Sequence, residues 1–191
     1  MYILSYNIGW MVYNCFLALI AVGLGYFVLQ VNSKFLKLLI GILWLLFLPN
    51  TIYIFTDLQH LITQWQSINP SFRSLLVLEY AIFEIVGIAT FLLAFFPFEK
   101  LVKSLKFSKK QTIWAFVVFN FVIAFGMVLG RVERVNSWQV FTNPPAVITS
   151  TFHVFHSFSL IALTVLFGLL CNFIYFLFRK KALVFIKELL D

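Results

Sequence analysis

The chain has 191 residues, of which 62% are hydrophobic, 25 are phenylalanine and only 11% are charged. A soluble core of this size could not bury so much apolar side chain, so the composition excludes a soluble globular protein. The net charge of +7 needs no nucleic acid to explain it, because lysines that face anionic lipid headgroups account for it. The composition therefore predicts an all-α, polytopic membrane bundle.

Five segments are long enough and poor enough in charge to cross a hydrocarbon layer of about 30 Å. They cover residues 8–30, 38–58, 75–98, 112–130 and 157–178. No internal repeat and no linker separates them, so we expect a single integral membrane domain over residues 1–191. Residues 145–156 are also apolar, which leaves open whether they re-enter the membrane.

Basic residues are distributed unevenly between the two sides of the predicted bundle, and this predicts its orientation, because short cytoplasmic loops retain Lys and Arg. We therefore expect the N-terminus outside, the C-terminus inside and anionic lipids at the cytoplasmic face. The predicted outer side carries only Arg73, Arg131 and Arg134. The predicted inner side carries Lys34, Lys37, Lys100, Lys103, Lys106, Lys109, Lys110, Arg179, Lys180, Lys181 and Lys187.

The second span contains a proline and a stripe of polar side chains. Pro49 has no N–H and is expected to break the helix and free a backbone carbonyl, which Asn50 or Thr51 could satisfy. At 100° per residue, the stripe falls within an arc of about 80°. It consists of Asn50, Tyr53, Asp57, His60 and Gln64. Because ionisable side chains are costly in lipid, the stripe is predicted to face protein or a wet cavity.

Span three carries a carboxylic acid at about the depth of the break in span two. Glu84 is therefore expected to meet Asn50. Two interpretations stay open. A protonated Glu84 could bond to Asn50 or to the carbonyl that Pro49 frees, or Glu84 could handle protons or a ligand.

Span four ends in a glycine pair and a polar segment. Gly126 and Gly130 have the spacing that lets another helix approach closely, and a homodimer through this face is one use of it. Either Arg131 or Arg134 is expected to pair with Asp57, and an arginine left free could hold an anionic lipid headgroup. The polar segment continues through Asn136, Ser137 and Trp138, the last of which is typical of an interfacial anchor.

Together, the two polar stretches resemble a bacterial membrane family known as Domain of Unknown Function 1361, over nearly the whole chain. The first stretch contributes Leu48, Pro49, Asn50, Tyr53, Thr56, Asp57, Leu58, His60 and Leu61. The second contributes Gly130, Arg131, Arg134, Asn136, Ser137, Trp138, Thr142, Asn143 and Pro144. The resemblance implies a multi-pass protein of the bacterial cytoplasmic membrane and supplies no activity. Val135 and Gln139 depart from the family pattern, which weakens any role for position 139 as a ligand or base.

These residues predict a polar pocket on the extracytoplasmic side, for which several functions stay open. The first is binding of an anionic lipid headgroup or a similar ligand. The second is metal-dependent hydrolysis at the outer leaflet, with zinc held by Asp57, His60, His153 and His156. A non-catalytic scaffold and a small proton-coupled carrier are the others. The predicted pocket consists of Asn50, Tyr53, Asp57, His60, Glu84, Arg131, Arg134, Asn136 and Trp138.

Overall fold

The computed structural model describes residues 2–190, with side chains for residues 2–184. Lys187, which contributed to the predicted orientation, lies outside the described side chains. All regular structure in residues 2–190 is helical. In chain order the helices are α1 (Tyr2–Gln30), α2 (Lys34–Phe47), α3 (Tyr53–Thr56), α4 (Leu58–Ser67), α5 (Arg73–Ser104), α6 (Lys109–Arg131), α7 (Gln139–Thr142), α8 (Pro144–His156) and α9 (Phe158–Leu190).

Within residues 2–184, five helical segments are long and apolar enough to cross a membrane, which confirms the predicted all-α bundle. They are Tyr2–Gln30, Lys34–Ser67, Pro70–Ser104, Lys109–Arg131 and Phe158–Val184. Most extend beyond the predicted spans, because a helix continues past the hydrocarbon until a cap or a break ends it. Ser108, for example, starts α6 with a capping box that it shares with Gln111.

The long helices alternate in direction, so their ends gather at two opposite ends of the bundle. The two ends carry different charged side chains. We call them the Lys109 end, where α6 begins, and the Arg131 end, where α6 finishes. Helix α1 packs on α2 and α5, α6 packs on α9, and α5 also contacts α9. Helix α8 packs against α6 and α9. Its 13 residues are fewer than the roughly 17 that a membrane span requires.

Aromatic side chains from three helices form the centre of the core. The ring of Phe95 on α5 lies 4.1 Å from that of Tyr175 on α9, measured between centroids. It meets Phe116 and Phe119 of α6 edge to face, at 5.9 and 5.3 Å. Such tilted contacts are favourable for ring quadrupoles, so they hold α5, α6 and α9 together.

The predicted break at Pro49 is confirmed. Helix α2 ends at Phe47 and a 3₁₀ turn follows over Leu48–Thr51. Backbone carbonyls around the break receive side-chain donors, as expected for polar backbone inside a membrane. The Asn50 side chain donates to the carbonyl of Phe47 at 2.9 Å, and that of Thr51 donates to the carbonyl of Leu48 at 2.8 Å. The Ser137 hydroxyl donates to the carbonyl of Leu46 at 2.7 Å. We call Lys34–Ser67, which contains this break, the broken span. Ser137, in the segment after α6, therefore holds the broken span near its break.

The glycine pair of α6 makes room for this broken span. A Cβ at Gly126 would lie 2.5 Å from Cγ of Pro49, and one at Gly130 would overlap the hydroxyl of Tyr53. The close approach that the spacing predicted thus occurs inside one chain. Because the broken span occupies the glycine face, that face is not free for the homodimer that the sequence offered.

A polar cavity at the Arg131 end

A buried ion pair lies at the centre of the Arg131 end. Asp57, between α3 and α4, is only 1% exposed. Nη2 of Arg131 lies 2.5 Å from its Oδ1, and Nδ2 of Asn14 on α1 donates to its Oδ2 at 3.0 Å. Both carboxylate oxygens therefore have a partner, which a buried charge requires. Of the two arginines that the sequence offered to Asp57, the structure selects Arg131.

The guanidinium of Arg131 also contacts Tyr53. Its Nη2 also donates to the carbonyl of Tyr53 at 3.1 Å, and Cζ lies 5.2 Å from the centre of that ring. Nε is buried and has no hydrogen-bond partner among the residues that the structure describes. A buried donor without an acceptor is costly, so Nε is the unsatisfied donor of this ion pair.

A cavity of about 140 Å³ lies beside this guanidinium. At about 30 Å³ per molecule in the liquid, that volume corresponds to four or five waters. Its walls come from α1, the broken span, the end of α6 and the segment that follows. The polar and aromatic part of the lining consists of Tyr13, Asn14, Phe47, Asn50, Tyr53, Arg131, Asn136, Ser137 and Trp138.

Five of the nine predicted pocket residues line this cavity, and Asp57 holds Arg131 in place. His60 is peripheral, with Nε2 3.9 Å from Oδ1 of Asp57. Arg134 does not line the cavity, because the turn after α6 places it at φ 55° with an exposed side chain. Asp57 is therefore buried, whereas the side chains of His60 and Arg134 are exposed at the surface.

The expected contact between Glu84 and Asn50 is wrong. Asn50 donates to the carbonyl of Phe47 in its own broken helix. The 3₁₀ turn explains this outcome, because it exposes carbonyls that an uninterrupted helix would have used. Both carboxylate oxygens of Glu84 are buried and have no partner in the described part of the chain.

Sequence reasoning missed the contribution of α1. Asn7 is fully buried, and its Nδ2 donates to Gln64 at 2.8 Å and to Glu79 at 3.1 Å. The signal was available, because Asn7 and Asn14 are seven residues apart and so lie on one face of a helix. That face carries the polar partners of both α4 and Asp57.

A second buried ion pair at the Lys109 end was also missed. Glu99 on α5 is 3% exposed and accepts hydrogen bonds from Nε and Nη2 of Arg179 at 3.1 and 2.9 Å. The hydroxyl of Tyr175 donates to it at 2.7 Å. The i, i+4 spacing of Tyr175 and Arg179 was the available signal. Arg179 is thus committed to a carboxylate inside the bundle.

The four side chains proposed as zinc ligands do not form one group. Within residues 2–184, no three His, Cys, Asp or Glu side chains come close enough to hold a metal. Nδ1 of His153 lies 3.0 Å from Oε1 of Glu133, and His60 lies beside Asp57. Nδ1 of His156 lies 2.7 Å from the carbonyl of Phe152. The histidines are therefore divided between α4 and α8.

Gly130 offers a direct test of how the cavity wall is packed. Gly130→Ala is expected to lower the free energy of unfolding by about 1–3 kcal/mol, because the new methyl group would overlap the Tyr53 hydroxyl. Gly23→Ala is the matched control, since nothing lies within 4 Å of a Cβ there. The control should be neutral or stabilising by up to about 1 kcal/mol, as for any exposed helix glycine. Detergent-denaturation curves of both variants measure the difference, and similar curves would contradict the packing.

A known protein family matches most of the chain. The model of the family described as Protein of unknown function (DUF1361) matches residues 13–174. The matched range contains the whole lining of the polar cavity. It confirms the resemblance drawn from the two polar stretches. No curated protein and no solved structure matches the chain.

Proposed function

This chain belongs to the DUF1361 family, whose function is unknown, and from its geometry we propose that it binds the anionic headgroup of a lipid in the polar cavity. The observation that carries the proposal is that Arg131, whose Nε is buried and has no hydrogen-bond partner among the described residues, lines that cavity. A planar guanidinium fork matches the oxygens of a phosphate or carboxylate.

The ion pair with Asp57 supports this role by positioning the arginine. Asp57 and the Tyr53 carbonyl occupy Nη2, so the plane of the guanidinium is set before a ligand arrives. A donor that is already ordered loses less conformational entropy on binding. The amides of Asn14, Asn50 and Asn136 add uncharged donors in the same lining.

The rim of the cavity supports a position at headgroup depth. Tyr13 and Trp138 line it and are 53% and 44% exposed. Tyrosine and tryptophan are enriched at membrane interfaces, where one part of the ring is apolar and the other is wet. With the lysine-rich end inside, the site would lie at the outer leaflet of a bacterial cytoplasmic membrane.

Arg131→Lys tests the proposal, because it keeps the charge that pairs with Asp57 and removes the Nε donor and the fork. Native mass spectrometry would measure phosphatidic acid retained over phosphatidylcholine from mixed micelles. We expect retention to fall about tenfold or more, since a hydrogen bond to a charged group contributes about 1.5–3 kcal/mol. Arg134→Lys is the matched control and should retain phosphatidic acid like the wild type. Equal retention by wild type and Arg131→Lys would contradict the proposal.

A non-catalytic scaffold is the second candidate, and one observation favours it. Asn14, Asp57 and Arg131 join α1, the broken span and α6 through side-chain contacts alone. Several such contacts together can lock transmembrane helices. The scaffold would be favoured if the wild type showed no preference for phosphatidic acid while Arg131→Lys changed only the melting temperature.

A further inference from the structure

We infer that the acyl chain of the bound lipid lies in a second, apolar cavity that shares a wall with the polar one. The inference rests on the proposed function and makes the ligand a whole lipid, with both its headgroup and its chain recognised. A free anion would use only the polar cavity.

The apolar cavity has a volume of about 190 Å³ and lies between α2, α6, α7 and α8. It shares Tyr53, Val135, Asn136 and Ser137 with the lining of the polar cavity. Hydrogen bonds fix this common wall, from Ser137 to the carbonyl of Leu46 and from Tyr53 to that of Gly126. The common wall is therefore in place before a ligand binds. A molecule with a polar head and an apolar chain can lie across this wall, with its head in the polar cavity and its chain in the apolar one.

The direction of the apolar cavity matches that of a lipid chain. Along α6 its lining runs from Leu129, next to the headgroup level of Arg131, back to Val122. Seven residues at 1.5 Å each correspond to about 10 Å, directed toward the middle of the span. An acyl chain takes the same course from its headgroup toward the centre of a bilayer.

The apolar cavity also opens to the surrounding lipid. Leu45 of α2 and Val122 of α6 are in its lining, and their exposed fractions are 39% and 45%. Both side chains belong to segments that are apolar enough to cross a membrane. A chain can thus enter sideways from the bilayer while the headgroup enters the polar cavity. A polar, soluble ligand would lose its hydration in this apolar cavity and is therefore not expected to fill it.

Chain position is the quantity to measure, because a lipid chain gains little free energy by moving from bilayer to an equally apolar cavity. The probe is phosphatidic acid with a photoreactive diazirine in one acyl chain, in nanodiscs of phosphatidylcholine. Phosphatidylcholine with the same labelled chain is the reference. After irradiation, mass spectrometry of peptides gives the labelling ratio of the two probes at each site.

We expect the ratio at Leu129 and Val147 to be about tenfold higher than at Leu78, an exposed residue of α5 outside both cavities. Val147→Phe should fill the cavity and remove the excess at Leu129. Retention of phosphatidic acid is measured in the same variant, because Val147 lines the apolar cavity and not the polar one. Val140→Phe is a second filling variant in case the first fails to fold. Val165→Phe, at an exposed position of α9, is the control.

The outcomes separate the two proposals. If phosphatidic acid is retained over phosphatidylcholine but both probes label Leu129 and Leu78 in the same ratio, the headgroup site stands and the chain cavity is overturned. If phosphatidic acid is not retained at all, the proposed function fails and the inference fails with it. Unchanged labelling of Leu129 in both filling variants would also overturn the chain cavity.

Discussion

Arg131→Gln is expected to lower the free energy of unfolding by about 3–5 kcal/mol, the usual cost of removing one partner of a buried ion pair. Asp57 is 1% exposed and would keep only the amide of Asn14 at 3.0 Å and Nε2 of His60 at 3.9 Å. The contact from Arg131 to the Tyr53 carbonyl would weaken as well. Titration of the purified protein with a denaturing detergent, followed by circular dichroism, measures the loss.

Two further variants make this prediction specific to the ion pair. Arg134→Gln removes the same charge three residues away and should change the free energy of unfolding by no more than about 0.5 kcal/mol, because Arg134 is exposed. Asp57→Asn combined with Arg131→Gln should recover much of the lost stability, since no unpaired charge remains. Equal destabilisation by the two arginine variants would show that the pair does not hold this end of the bundle.

At the Lys109 end, Arg179→Gln is expected to cost about 3 kcal/mol, near the lower limit for a broken buried pair. Glu99 would lose two hydrogen bonds but keep the one from Tyr175. Nζ of Lys103 lies 3.9 Å from its Oε2 and would screen part of the remaining charge. The same detergent titration measures the effect, and a parallel thermal melt should show a lower midpoint.

Lys180→Gln is the matched control for this second pair. Lys180 follows Arg179 directly and is exposed, so its replacement should leave stability within about 0.5 kcal/mol of the wild type. Combining Glu99→Gln with Arg179→Gln should restore stability relative to Arg179→Gln alone. A double variant as unstable as the single one would mean that Arg179 acts by packing on Phe116, whose ring centre is 4.9 Å from its Cζ.

The two ion pairs have different consequences for function. In the pair at the Lys109 end, Nε and Nη2 of Arg179 donate to Glu99 and the guanidinium lies over two aromatic rings, which fits a purely structural role. The pair at the Arg131 end leaves Nε unpartnered beside a cavity. Arg131→Gln would disturb both folding and any ligand site, and Arg131→Lys is therefore the variant that separates them.

Local properties of the sequence determined much of the fold and part of the site. Five apolar segments of sufficient length predicted five membrane-spanning helices, and the described residues contain five helical segments that are long and apolar enough to span a membrane. The missing N–H of Pro49 predicted the break in span two, and the helical period placed Asn50 and Tyr53 on one face. Each of these features depends on residues within one segment, which is why the sequence alone was sufficient.

Only the tertiary structure decided which polar groups meet. From the sequence, Arg131 and Arg134 were equivalent candidates for the ion pair with Asp57. In the structure, α6 ends at Arg131 and the following turn leaves Arg134 exposed, so Arg131 forms the pair. The glycine face of α6 packs against Pro49 of the same chain. Such choices depend on the axial shift and rotation of helices that are distant in sequence. These are set by packing of whole side chains, and the hydrophobic period of a single helix does not encode them.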